Sequence, residues 1–387
     1  MGTNRSVQWV IKASKLCNLR CKYCYEYAEL ANKERMSIAQ VENMIINMAS
    51  YYNNKGFTMD FVWHGGEPML NEKNYFEQIY ELQKRYLHPA NITFNNSIQT
   101  NLTILNGGHI ESFKKGIFSN IGVSIDLFGD QRVDTYGKLS DERVIKNMQK
   151  LQDNGIPFGC ITVLSQKTLP HLHKIYDFYE QINTSFRILP IYRTSYELQH
   201  DGNSVSPAEI LEAYKLLFNR WLISESNIQV RPIQDYILNV IRMMNHNDII
   251  KQYYGEREDE ILFIINTNGD LFSNANAYTS QYNYGNIFTT PMSEILTSAN
   301  HTKSKQEGLQ RMQATCTKCT YYGFCSGFYM AEATPEQRYY SEDTLQCSII
   351  KPFHDYIYET LRDSDIYDSI ASSTFPNATL NMQDVET

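Results

Sequence analysis

Basic residues are scarce in this chain. Lysine and arginine total 35 against 43 aspartate and glutamate, a net charge of -8. No Lys/Arg-rich block offsets that balance. A nucleic-acid backbone calls for a basic surface, so no nucleic-acid partner is expected. Long apolar runs are missing too. None approaches the length of a membrane span, and no apolar segment of signal-peptide type follows the N-terminus, so neither a membrane nor secretion is expected. Gly2 and Ser6 match the loose myristoylation pattern, which we read as coincidence. There is no internal repeat.

What the chain does have is length and clustered cysteine. Its 387 residues suffice for two domains and a large core. The eight cysteines lie at 17, 21, 24, 160, 316, 319, 325 and 347. They sort as three, one and four. Clustering of this kind in a chain expected to be cytoplasmic reads as metal binding rather than disulfide bonding.

The stretch KLCNLRCKYCY, from Lys15 to Tyr25, places Cys17, Cys21 and Cys24 in a C-x3-C-x2-C run. Three thiolates can hold three irons of a [4Fe–4S] cube and leave the fourth iron open. An open metal position is where a substrate or cofactor binds. Structural zinc sites close with four ligands, and no His or fourth Cys lies nearby to complete one.

Strands and helices alternate after that loop. Val7–Ala13, Met59–Trp63, Ile92–Gln99, Ile121–Ile125, Phe158–Leu164 and Phe186–Ile191 read as strands. Ser37 and Gln40 form a capping-box pattern ahead of Val41, Met44, Ile45 and Met48 at helical spacing. Further helices are expected over about Asp141–Asn154 and Leu169–Ile182, and another begins at Ser206, Pro207 and Glu209. The pattern predicts about six parallel βα units between residues 7 and 223. Several strand ends are polar: His64, Gly65, Gly66, Glu67 and Pro68; Gln99, Thr100 and Asn101; Ser124, Ile125 and Asp126; and Arg187.

With Tyr23 before its last cysteine, the opening motif resembles the C-x3-C-x-aromatic-C signature of the radical S-adenosylmethionine (radical SAM) superfamily. The resemblance implies an α/β fold: an open, partial (βα)6 barrel with its site at the strand C-termini. It implies that SAM chelates the open iron through its amino and carboxylate groups. The reduced cluster then splits SAM to a 5′-deoxyadenosyl radical that takes a hydrogen atom from substrate. It places Tyr23, Gly65, Gly66, Glu67, Gln99, Asn101, Ser124 and Arg187 around SAM, and turns Asp126 toward substrate as a catalytic residue.

A second region begins near Ile261. Asn266 to Asp270 reads as a hairpin turn between two strands. Cys316, Cys319, Cys325 and Cys347 suit a closed zinc or a second [4Fe–4S] cluster. The order of parts resembles the SPASM domain, a small α+β extension of radical SAM peptide maturases, which implies iron–sulfur. Two-cluster relatives carry a further cysteine where this chain has Tyr329, and a hairpin cysteine where it has Asn274. One auxiliary cluster is therefore expected, with Asn274 and Tyr329 lining a substrate channel and Tyr329 a catalytic candidate. In the sulfatase-maturing branch an Asp follows the hairpin cysteine; here it is Ala275.

The expected organisation is a barrel over 1–223, a bridging region over 224–259, the auxiliary-cluster domain over 260–350, and a helix with a disordered tail over 351–387. No leader-binding module is expected ahead of the first strand. The reading is an enzyme with two [4Fe–4S] clusters and SAM. It modifies a ribosomally made precursor peptide, by a carbon–carbon or similar side-chain cross-link, and is fed electrons by a flavodoxin or ferredoxin. One alternative is a peptide epimerase that uses Cys160 as hydrogen donor. Another is an oxidase of the sulfatase-maturase kind. From a different class, a non-catalytic iron–sulfur or zinc protein remains.

Overall fold

The computed structural model describes residues 5–72, 74–191, 202–245, 262–272, 279–325 and 347–373. Asn274, Ala275, Tyr329, residues 246–259 of the bridging region and the final tail lie outside the described residues.

Seven parallel strands run in chain order across one sheet: β1 Arg5–Ser14, β2 Phe57–Gly65, β3 Thr93–Thr100, β4 Asn120–Ser124, β5 Gly159–Leu164, β6 Phe186–Pro190 and β7 Val230–Arg231. Helices connect them: α1 Ile38–Tyr52, α2 Tyr75–Leu87, α3 Gly107–Lys114, α4 Asp141–Asp153, α5 Leu172–Gln181 and α6 Pro207–Leu222. The mixed α/β fold with a parallel sheet at its core is as expected. Strand β2 shows why it forms. Its residues alternate strictly between buried and half-buried, one face under helices and one face inward. The capping boxes at Ser37 and Ser206 are both made.

Beyond residue 223 the chain still belongs to the sheet. The stretch expected to bridge begins with β7 and with α7 Ile233–Met244, whose Ile233, Ile237, Val240 and Ile241 are fully buried. The C-terminal region then reaches both edges of the sheet. Strand β8 Leu262–Ile265 adds parallel to β1, and β9 Asp270–Phe272 and β10 Asn283–Asn286 follow antiparallel. The turn between β8 and β9 closes with Asn266 N–H donating to the Asp270 carbonyl at 3.0 Å. After α8 Met292–Ile295 and α9 Ala299–Arg311, a π-turn over Met312–Cys316 delivers the first C-terminal cysteine. α10 Ile350–Leu361 packs on α6 and α7 at the opposite edge, and α11 Ser364–Ser373 follows.

Candidate functional site

The cysteine loop leaves the C-terminal end of β1. Cys17 and Cys21 are buried and Cys24 half-buried, and all three pack in one cluster with Tyr23, Leu19 and Leu30. The backbone fixes the loop. Cys17 N–H donates to the Leu30 carbonyl at 3.0 Å, and Arg20 Nη1 braces the Cys17 and Leu19 carbonyls at 2.8 and 2.7 Å. Burial pushes the Cys17 thiol up to about 12, and it pushes Cys21 and Cys24 up as well. Such thiols give up their protons when a metal takes them.

The Gly-Gly-Glu run packs directly on this loop. Gly66 N–H donates to the Ser14 carbonyl at 2.8 Å and Glu67 N–H to the Leu16 carbonyl at 2.9 Å. A side chain at Gly65 would strike the Ser14 carbonyl, and one at Gly66 the carbonyls of Lys15 and Leu16. Gly65 also has φ +120°, which favours glycine. These glycines are therefore explained by loop-on-loop contact. Glu67, only 1% exposed, spends its carboxylate internally. It accepts from Met69 N–H at 2.9 Å, Thr100 Oγ1 at 2.8 Å and Asn101 N–H at 2.7 Å, which ties the end of β3 to the loop.

Asn101 completes that tie. Its Nδ2 donates to Asn18 Oδ1 at 2.9 Å and approaches Cys17 Sγ at 3.7 Å. Gln99 and Ser124 pair with each other, Nε2 to Oγ at 2.7 Å, on the inward face of the sheet. A side chain at Gly122 would strike the Gln99 amide, so that glycine opens Gln99's path to Ser124. Ser124, Ile161, Arg187 and Arg231 stand in one cross-strand row. Arg187 is exposed there. Lys12 and His64 are register partners on β1 and β2. Lys12 is buried against Glu26 at 2.5 Å. Burial, with the Lys12 charge, pushes His64 down to about 4, so it is neutral at pH 7.

Two sequence expectations need correction. Asp126 does not face a substrate space. It is 1% exposed, takes a hydrogen bond from the Tyr23 hydroxyl, accepts from Val163 N–H at 2.6 Å and pairs with Arg132 at 3.4 Å. Cys160 faces away from the barrel interior. It shares its row with Val123 and Phe186, both buried under the helices, and its thiol meets the Tyr179 hydroxyl. The side-chain alternation of strands decides this, since Ser124 and Val123 point to opposite faces. Arg132, 7% exposed, is the site residue that sequence reasoning missed. It lies in an irregular loop with no periodicity to mark it.

At the C-terminal end, Cys319 N–H donates to the Cys316 carbonyl at 2.9 Å and Cys325 N–H to the Tyr321 carbonyl at 2.9 Å. Cys347 accepts from Lys351 N–H at 3.3 Å. The Lys351 ammonium is held up first by Asp355, then by Cys319 and Cys347 together. Tyr321 Oη donates to Asp355 Oδ1 at 3.0 Å and Lys351 Nζ to Asp355 Oδ2 at 2.6 Å, so the helix that follows Cys347 packs on the 316–325 segment.

Among the described residues, no three His, Cys, Asp or Glu side chains converge on the position of a single metal ion. A cube takes each thiolate on a different iron and spaces its ligands more widely. Three buried thiols in one loop fit such a group. The family model described as the radical SAM superfamily matches residues 11–179. An uncharacterised protein of Methanocaldococcus jannaschii is 30% identical over 232 residues, covering 59% of this chain and 76% of its own.

The chain belongs to the radical SAM superfamily.

That family implies a [4Fe–4S] cluster and SAM. Within it, the cysteine-type anaerobic sulfatase-maturating enzyme of Clostridium novyi is 24% identical over 361 residues, covering 90% of this chain and 94% of its own. The fold matches native anSMEcpe with bound AdoMet and Cp18Cys peptide, at TM-score 0.70 and 18% identity over 95% of this chain and 99% of that one. It also matches Streptococcus suis SuiB bound to precursor peptide SuiA, at TM-score 0.59 and 15% identity over 84% and 72%. Among the described residues, no helix of this radical SAM chain is long and apolar enough to cross a membrane.

Proposed function

We propose that this radical SAM enzyme oxidises a ribosomally made peptide, joining two side chains by a new bond. Cys17, Cys21 and Cys24 hold the SAM-binding cluster. Cys316, Cys319, Cys325 and Cys347 hold one auxiliary cluster. When bound, the first cluster supplies the electron that splits SAM to a 5′-deoxyadenosyl radical, and a flavodoxin or ferredoxin restores that electron. A cross-link removes two hydrogens from the peptide. One leaves as a hydrogen atom to the deoxyadenosyl group, and the other as a proton plus an electron. An electron acceptor is needed for the second, and a cluster on the four C-terminal thiols would supply one.

The chain's own residues shape the rest. The Gly-Gly-Glu run meets SAM through its backbone, because the Glu67 carboxylate is already committed. Gln99 and Ser124 offer a paired amide and hydroxyl inside the barrel. Arg187, with no resolved partner among the described residues, is exposed beside them for an anionic group of SAM or peptide. Tyr329 lies outside the described residues. The single observation that carries the oxidative reading is the packing of the helix after Cys347 on the 316–325 segment, through Tyr321 and Lys351 on Asp355.

A second reading, maturation of a sulfatase, has specific support in the C. novyi relative, which matches this chain nearly end to end. One experiment separates the two. The reduced, iron-loaded protein is mixed with SAM and either the peptide of any short reading frame found beside this gene or a sulfatase-type cysteine peptide. Loss of two hydrogens with a new inter-residue bond in the first supports cross-linking. Conversion of the cysteine to an aldehyde in the second supports sulfatase maturation and overturns our choice.

A further inference from the structure

Arg132 occupies an unusual place beside the cysteine loop. Leu19 bridges Asp134 in antiparallel fashion. Arg20 N–H donates to the Val133 carbonyl at 2.7 Å and Lys22 N–H to the Gln131 carbonyl at 3.0 Å. This register sets Cys21 directly opposite Arg132. Opposed residues in an antiparallel pair share a face, with Cβ atoms about 5 Å apart. From there Arg132 Nη1 donates to the Tyr23 hydroxyl at 2.7 Å and pairs with Asp126 at 3.4 Å. Its Nε is buried and has no partner among the described residues.

We propose that Arg132, from its position opposite Cys21, sets the reduction potential of the cluster held by Cys17, Cys21 and Cys24, acting as a positioning residue that places positive charge against it. This rests on the assignment of those three cysteines to the cluster. Reduction adds one negative charge to a buried group, and a buried cation nearby favours the reduced form. Asp126 opposes the effect but does not cancel it. Arg132, not Asp126, stands opposite Cys21, and the two charges meet at 3.4 Å through Nη1. On the other side of the loop, Lys12 is paired with Glu26 at 2.5 Å. Arg132 is the cation that the ladder sets opposite Cys21.

The test is an EPR-monitored redox titration of the iron-loaded full chain, with the SAM-binding cluster recognised by its spectral change on adding SAM. Arg132→Gln is expected to lower the reduced-to-oxidised ratio at fixed potential by about tenfold, which is ~59 mV for one electron. Arg132→Lys keeps the charge and stays near the parent. Tyr23→Phe removes a hydroxyl but no cation, and it also stays near the parent. Arg132→Gln leaves Asp126 buried and unpaired and can fail to load iron. The double variant Asp126→Asn with Arg132→Gln removes both charges and settles the sign; it too is expected below the parent. Titration of a loaded Arg132→Gln or double variant at or above the parent potential overturns the inference. So does loss of iron in Arg132→Lys, since the retained charge then does not suffice. If changing Cys17, Cys21 and Cys24 to Ala leaves all the iron in place, the site assignment itself fails, and this inference with it.

Discussion

Replacing Gly66 with alanine tests whether the Gly-Gly-Glu run and the cysteine loop are one mechanical unit. The new Cβ would fall 2.6 Å from the Leu16 carbonyl carbon, against about 3.5 Å or more for ordinary carbon contact. Backbone must therefore move by about 1 Å. The atoms in the way belong to Lys15 and Leu16, one residue before Cys17, with no flexible side chain to yield. Two hydrogen bonds stand in the path of that movement, Gly66 N–H to Ser14 and Glu67 N–H to Leu16. Overpacking costs about 1–3 kcal/mol, and each strained hydrogen bond adds about 1 kcal/mol. The penalty of about 3–5 kcal/mol falls on the loop, because the β-strands beneath it are held by the whole core. Gly66→Ala should keep its far-UV circular dichroism, lose about half its iron and form almost no 5′-deoxyadenosine. Full iron loading with parent-like SAM cleavage would refute the reasoning.

Three further outcomes follow from the same structure. Cys160→Ala should still convert substrate, because the thiol lies on the helix-covered face against Tyr179; loss of product with SAM cleavage intact would restore it as a hydrogen donor. Changing Cys316, Cys319 and Cys325 to Ala should remove about half of roughly eight irons, damage turnover and leave some SAM cleavage; zinc in place of iron there would contradict the assignment. His354 is 1% exposed, and burial pushes it down to about 3. The unfolded chain takes up that proton below about pH 6.5, so this stability is complete above 6.5 and drains away toward pH 3. The contribution is on the order of 4 kcal/mol, so His354→Phe should flatten the fall in Tm on acidification; an unchanged slope would show that His354 is not held neutral.

The six barrel strands were legible because alternation survives in sequence, as in β2, and because polar residues gather where strands end. The cysteine spacing carried the cofactor with no structure at all. Roles that depend on register were not legible. Cys160 stands in a barrel strand, as a hydrogen donor would, and only its pairing with Val123 fixes its face. Asp126 ends a strand as a substrate contact would, yet Tyr23, Val163 and Arg132 consume it. Glu67 and Asn101 stand in expected motifs, and both spend their side chains on the loop rather than on open space. Arg132 gives no local signal, because its place opposite Cys21 is set by a ladder between segments more than a hundred residues apart. Strand β7 has two residues, too few to show a period.

The central claim is that the three N-terminal cysteines arm this chain for radical chemistry. Its most direct test mixes anaerobic, dithionite-reduced, iron-loaded protein with SAM and counts 5′-deoxyadenosine by mass spectrometry. The parent should form it, and the variant with Cys17, Cys21 and Cys24 all changed to Ala should form none while keeping its fold. Continued SAM cleavage by that variant, or none by the fully loaded parent, would contradict the account.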